Sequence, residues 1–324
     1  MHDINAEQLF IVGVGRSGTT LLQSMFAAHP AVDYMPETSF LRRYVATRCL
    51  QRLYNTGGED AVVTALHNDE FFARFRLDAS SLVRQALEVG GALDAALYLQ
   101  VVQVYLSEGR SWIGDKDPRL IEFLPLIAAL FPQSKVINII RDPRDILNSK
   151  KRAAWSRSGH VWKHIFANRV QLRMGRKCGK RFSGGNYHEV IYEELITSPQ
   201  KVLLDLCQKV GLPFDEAMLS FGEAAKKLVF ESELSWKKET FGPLLQENKE
   251  KWKDGLSPKE ILLTESSCSE AMEIGKYCFD ERRYKLCLFD RLWMLAGATV
   301  IKLATLPYMI YRNIKVMKAC RRIC

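Results

Sequence analysis

Residues 9–20, Leu-Phe-Ile-Val-Gly-Val-Gly-Arg-Ser-Gly-Thr-Thr, constrain the fold of this chain more than any other stretch. Leu9 to Val14 is a short apolar run broken by glycine, the pattern of a buried parallel strand. Thr19 to Ala28 has helical spacing and stops at His29-Pro30. The unit therefore reads strand, glycine turn, helix. Gly13 to Thr20 nearly fits the phosphate-loop pattern G-x-x-x-x-G-K-[ST], in the context that pattern requires. Glycines let the backbone approach phosphate oxygens, and amides at a helix N-terminus point at the anion. The hydroxyls of Thr19 and Thr20 add donors beyond Ser17 and Gly18. The alternative is a bare glycine turn without a ligand. One departure is informative. Thr19 stands where a kinase or ATPase places lysine, so a triphosphate would lose its cation. Arg16 lies inside the loop instead, where a planar guanidinium can grip an anion with two hydrogen bonds.

The rest of the chain repeats the alternation of strand and helix. Val32–Met35, Ser111–Gly114, Lys135–Ile140 and Glu189–Tyr192 read as strands. Arg42 to Glu108 reads as mainly helical, with breaks at Gly57-Gly58 and Gly90-Gly91. Arg119–Leu130 and Pro199–Val210 read as helices, closed by Pro132 and Gly211. The expected fold is α/β, a P-loop-like parallel sheet flanked by helices, with helical insertions and a helical C-terminal tail. Residues 1–283 form the expected main domain and 284–324 the tail.

The Lys135–Ile140 strand ends at Arg141-Asp142-Pro143, where Asp142 suits an N-cap and proline suits the first helical turn. Ligands of a parallel sheet collect at the carboxyl ends of its strands. Arg141, with Ser149 in the following helix, is therefore placed to reach the crevice of the glycine loop. Together they could hold a second phosphate. Alone, Arg141 could equally pair with Asp142 or Asp145.

The chain of 324 residues is 47% hydrophobic and 26% charged, which excludes a disordered chain. Its formal net charge of +9 directs a basic surface toward an anion. No zinc-finger spacing or basic zipper supports nucleic acid as that anion. Its eight cysteines include no C-x-x-C pair. With no apolar leader, they read as reduced thiols in a cytoplasmic protein. The tail run Leu292–Tyr311 has membrane length, but Lys302 sits within it and Pro307 interrupts it. A central lysine costs roughly 2.5–3.5 kcal/mol on insertion. Arg312, Lys315, Lys318, Arg321 and Arg322 follow. A helix packed on the body, a helix lying on a membrane surface and a span all remain open.

Gly15-Arg16-Ser17-Gly18-Thr19-Thr20-Leu21-Leu22 resembles the 5′-phosphosulfate loop of sulfotransferases that use 3′-phosphoadenylyl sulfate (PAPS). The run through Ala28-His29-Pro30 to Pro36-Glu37-Thr38 is similar to the tyrosylprotein sulfotransferase branch and its bacterial relatives. The resemblance implies PAPS as donor, a hydroxyl acceptor and adenosine 3′,5′-bisphosphate as product. It implies a 3′-phosphate element in Val136 to Ser149, including Arg141. It implies that Tyr192 borders the nucleotide and that Lys251, beside Trp252, belongs to a segment folding over it. Tyr192 could instead be a core aromatic and Lys251 a solvated charge. The family's covering segment would fall at Ser235–Leu245.

Sulfuryl transfer, like phosphoryl transfer, rests on positioning and electrostatics. Glu37, after a short strand, is the candidate general base, as the resemblance also implies; it could equally cap a helix. Arg16 and Lys116 are the cations for charge on the leaving oxygen, although Lys116 could pair with Asp115 or Asp117. His160 and His164, one helical turn apart, are a secondary possibility. Arg144 and Arg152 could bind anion or solvent. No metal is expected. The acceptor favoured by the sequence is a saccharide or small hydroxyl compound, with peptide tyrosine possible. The competing readings are a small-molecule kinase, which Thr19 opposes, and a non-catalytic module for anionic glycans or membranes.

Overall fold

The computed structural model describes residues 6–321 except 154–155, 157–158, 181, 183–184, 231–240 and 243. Five parallel strands form one sheet in the order β2-β3-β1-β4-β5. They are β1 (Glu7–Gly13), β2 (Val32–Tyr34), β3 (Trp112–Lys116), β4 (Lys135–Ile140) and β5 (Tyr187–Ile191). The expected fold class holds.

β1 is central because it is apolar on both faces. Leu9 and Ile11 pack with Leu22 and Phe26 of helix α1 (Thr19–Ala27). Phe10 and Val12 turn the other way, toward Tyr98, Ile113 and Phe131. This alternation follows from the two-residue period of a strand, and each fully buried side chain contributes roughly 1.5–3 kcal/mol. β1 pairs with β3 on one side and β4 on the other, Ile11 lying opposite both Lys116 and Ile137.

Several boundaries differ from expectation. β3 runs to Lys116, two residues beyond the expected Gly114, because sheet pairing with β1 continues there. The expected helix Arg119–Leu130 is a 3-10 turn, Pro118–Glu122, followed by α-helix Leu124–Leu130. Phe123 between them has φ −121°, outside the helical region, and a proline lies in the first turn of the second helix. The expected glycine breaks hold: Cys49–His67 is two helical segments meeting at a kink where Gly58, at φ +68° and ψ −160°, is non-helical. Gly90 and Gly91, at φ +75° and +82°, form the second break. Tyr192 opens a short helix rather than closing β5. The tail is one helix, Leu288–Cys320, whose inner face packs on the body.

Candidate active site at the carboxyl ends of the strands

The glycine loop joins β1 to α1 under two tight constraints. A Cβ on Gly13 would lie 2.6 Å from Ser17 Oγ and 2.8 Å from the Ile139 carbonyl oxygen. A Cβ on Gly18, at φ +99°, would lie 2.4 Å from the Tyr192 ring. The amide of Ser17 donates to the Val14 carbonyl at 3.0 Å, closing the turn. Gly18 offers no side chain to cap α1, so the first-turn amides are left for another acceptor. Ser17 Oγ is buried with no hydrogen-bond partner among the described residues. An uncapped helix end, glycines and a buried unsatisfied hydroxyl fit a phosphate or sulfate group.

The structure brings the two expected anion elements into contact. Arg16 Nε donates to Ser149 Oγ at 2.8 Å, across 133 residues of sequence. Ser149 lies in the helix after β4, Pro143–Arg152, where Asp142 caps the first turn by accepting from the Arg144 amide. Arg141 donates to the Arg16 carbonyl at 3.4 Å and to the Asn248 carbonyl at 2.8 Å. Its guanidinium lies 4.2 Å from the centre of the Tyr192 ring, a stacking geometry. Asn248 Nδ2 in turn donates to the Tyr192 hydroxyl at 2.9 Å. Arg141 Nε is buried without a hydrogen-bond partner among the described residues.

Asp145, Asn148 and Asn248 hold residues 248–252 against Arg141, Tyr192 and the helix Pro143–Arg152. Asp145 is expected from the sequence only as an ion partner of Arg141, whose guanidinium does lie 3.9 Å from it, and the sequence pattern singles out neither asparagine. Asp145 accepts from the amides of Glu250 and Trp252, at 2.8 and 2.9 Å. Asn148 donates to the Lys251 carbonyl at 2.8 Å. Asn248 supplies the bridge to Arg141 and Tyr192. The late segment was legible near Lys251-Trp252, but its anchors are ordinary polar residues whose partners are distant in sequence. The expected covering segment Ser235–Leu245 lies largely outside the described residues.

Other sequence candidates take structural positions. Arg144 is buried, donating to Asp142, Glu265 and the Cys278 carbonyl, and lies 3.9 Å over the Trp252 ring. Arg152 is exposed at the end of its helix. His160 is the exposed residue before the helix Val161–Gly179. His164 Nε2 lies 3.0 Å from the Ser156 carbonyl, and burial pushes its pKa down. Among the described residues, no group of three His, Cys, Asp or Glu could hold a metal ion. Lys150, beside Ser149, is a further cation that the sequence pattern does not single out. It is buried and pushed down to about 8 by desolvation, with Arg16 adding to the shift.

Glu37 and Lys116 meet directly. The Lys116 ammonium, wholly buried at the end of β3, forms an ion pair with the Glu37 carboxylate. It also lies 3.4 Å from Thr20 Oγ1, so one cation borders both the loop and the candidate base. The Glu37 carbonyl accepts from Arg74 at 2.8 Å. The alternative partners of Lys116 are otherwise engaged. Asp117 pairs with Arg42 at 3.0 Å, and Asp115 accepts from the Tyr98 hydroxyl at 2.8 Å.

Asp115 predicts a measurable pH effect. Burial pushes its carboxyl up to about 7, opposed by the Tyr98 hydrogen bond and aided by the charge of Asp117. The unfolded value lies near 3.9. Between about pH 4 and pH 7 the folded state therefore keeps a proton that the unfolded chain releases. The stabilisation is full below pH 4 and is lost as pH rises through about 7. Asp115→Asn cannot titrate. Its urea midpoint is expected to lack this fall, leaving the variant on the order of a few kcal/mol ahead at pH 8 relative to pH 5. Parallel curves for the two proteins would show that Asp115 is already ionised when folded.

The family model described as "Sulfotransferase family" matches residues 8–216. The chain is 26% identical over 226 residues to "Protein-tyrosine sulfotransferase 1" of Danio rerio, a match covering 68% of this chain and 57% of that protein. It is 25% identical over 226 residues to "Protein-tyrosine sulfotransferase 2" of Gallus gallus, covering 68% and 55%. The chain thus spans a little over half the length of these curated relatives. Its structure is similar to the sulfotransferase domain of the Synechococcus PCC 7002 olefin synthase, with TM-score 0.59 and 23% identity. That match covers 86% of this chain and 98% of the other. At this identity the likeness concerns the fold.

Proposed function

Because the chain belongs to the sulfotransferase family, we propose that it transfers a sulfuryl group from PAPS to a hydroxyl acceptor. The observation that carries the reading is the junction of Arg16, Ser149 and Arg141. There, two anion elements from the ends of β1 and β4 meet beside an uncapped helix. The loop amides, Ser17, Thr19 and Thr20 would hold the 5′ side of the nucleotide, and Arg141 with Ser149 its 3′-phosphate. Tyr192 and residues 248–252, including Lys251, would wall the nucleotide crevice. PAPS supplies a sulfuryl group already activated on a phosphate leaving group. Glu37 accepts the proton of the attacking hydroxyl as the new oxygen–sulfur bond forms and the bond to the 5′-phosphate breaks. Arg16 and Lys116 receive the charge that builds on the departing oxygen.

The names of the relatives favour a peptide tyrosine as acceptor over the saccharide expected from the sequence. The cytoplasmic placement expected from the cysteines draws no support from the relatives. Calorimetric titration with adenosine 3′,5′-bisphosphate and with ATP tests the donor. Binding of the bisphosphate without binding of ATP is the expected result; the reverse, or silence with both, removes PAPS as donor. Transfer of labelled sulfate to a tyrosine peptide, compared with a saccharide panel, then decides the acceptor.

A further inference from the structure

The tail helix Leu288–Cys320 is 33 residues long, about 50 Å at 1.5 Å per residue. Its inner face is fixed along much of that length. Met294, Ala298 and Ile301 are buried in the core beside residues 258–268, and Met309 packs on Val170 and Met174. A Cβ on Gly297 would lie 2.1 Å from the Trp162 ring, so the helix sits close against that side chain. Arg169 donates to Thr305 at 3.1 Å, and Arg312 to Glu122 at 2.8 Å.

The outer face is the anomaly. Leu292, Leu303, Leu306, Ile310 and Ile314 are 58%, 70%, 59%, 51% and 51% exposed. At 100° per residue they share one arc opposite the buried positions, and no charged residue interrupts that arc between Leu292 and Ile314. A helix on a soluble body ordinarily turns charges outward there. Trp293 and Tyr311, 60% and 61% exposed, line one rim of the arc. Such amphipathic rings suit the boundary between lipid and water.

The other rim is basic. A cleft of about 460 Å³ opens between the helix Val161–Gly179 and the tail, bordered by Leu306 and Met309. Arg173, Arg176, Lys177, Lys180 and Lys302 line it, against the single carboxylate of Glu270. Among the described residues, Lys177, Lys180 and Lys302 make no ion pair, while Arg173 and Arg176 share Glu270 and Arg176 also pairs with Glu189 behind the cleft.

We propose that this face docks on an anionic lipid bilayer, the tail lying in the interface and the cleft seating phosphate head groups. Charge complementarity selects this occupant. A second copy of the same face would bring its own excess of cations and repel. The helix lies flat rather than crossing, because its inner face stays bound to the body and Lys302 occupies its middle. Apolar insertion and attraction to anionic lipid then act together.

The test is flotation of the full chain with vesicles of 30% phosphatidylglycerol in phosphatidylcholine, and with phosphatidylcholine alone. The anionic vesicles are expected to carry at least about tenfold more protein. The variants Leu303→Glu/Leu306→Glu/Ile310→Glu and Lys177→Glu/Lys180→Glu/Lys302→Glu should each lose about tenfold or more. All substituted side chains in the first set are exposed, so circular dichroism should be unchanged. A second measurement needs no charge change. Brominated lipid should quench part of the tryptophan fluorescence, and that part should vanish in Trp293→Phe. The proposal is overturned if anionic vesicles recover no more protein than neutral ones. It is also overturned if the outer-face variant floats like the parent, or if that variant only dissolves a dimer that never bound vesicles.

Discussion

Glu37→Gln is expected to lower sulfuryl transfer by roughly 10²–10⁴-fold while leaving affinity for adenosine 3′,5′-bisphosphate almost unchanged. Glutamine keeps the length of the side chain, and its amide oxygen can still accept from Lys116. What it loses is the ability to take a proton from the attacking hydroxyl. The substitution also removes the counter-charge of a buried cation, since Lys116 is 1% exposed at its side chain and Glu37 is 24% exposed. Losing one partner of a fully buried pair can cost about 3–5 kcal/mol, and the exposure of Glu37 reduces that figure. Stability and bisphosphate binding therefore belong beside the rate measurement. A lost rate with intact binding assigns the proton to Glu37. An unchanged rate removes Glu37 as the base and leaves the ion pair a structural contact.

Arg141→Ala should weaken adenosine 3′,5′-bisphosphate by roughly 10–100-fold, from loss of charged hydrogen bonds each worth about 1.5–3 kcal/mol. The sharper readout is selectivity. Adenosine 5′-monophosphate lacks the 3′-phosphate, so its affinity should change far less, and the preference for the bisphosphate should collapse. Arg141 also braces the fold, through the Asn248 and Arg16 carbonyls and the Tyr192 ring. Arg141→Lys keeps the charge while losing the planar fork, and should fall between the two. Equal weakening of both nucleotides would show that Arg141 only supports the loop, and that the 3′-phosphate is held elsewhere.

The parts legible in the sequence are those whose physics is local. β4 was readable to the residue because Lys135–Ile140 is an apolar run ended by an Asp-Pro helix start. The helix Pro199–Val210 was readable for a similar reason, since Gly211 at φ +86° closes it. The split of Arg119–Leu130 was harder to see. Both halves are helical by pattern, and the break falls at Phe123, just before the helix that carries Pro125 in its first turn. Anchors such as Asp145, Asn148 and Asn248 leave no local trace. A lone polar side chain looks alike whether it meets water or a backbone amide more than one hundred residues away.

By itself, the sequence determined that a glycine loop opens a helix, that this loop carries Arg16 and has Thr19 where a kinase has lysine, and that Arg141 follows a buried strand. Those features depend on residues within one or two turns of each other. Only the tertiary structure decided that Arg16 reaches Ser149, that Lys116 is buried against Glu37, and that the tail turns an apolar face outward. Strand order, burial and the face a helix presents are set by which distant elements pack together. That packing also carries the glycine loop of β1 to the arginine of β4, the junction on which the proposed nucleotide site rests.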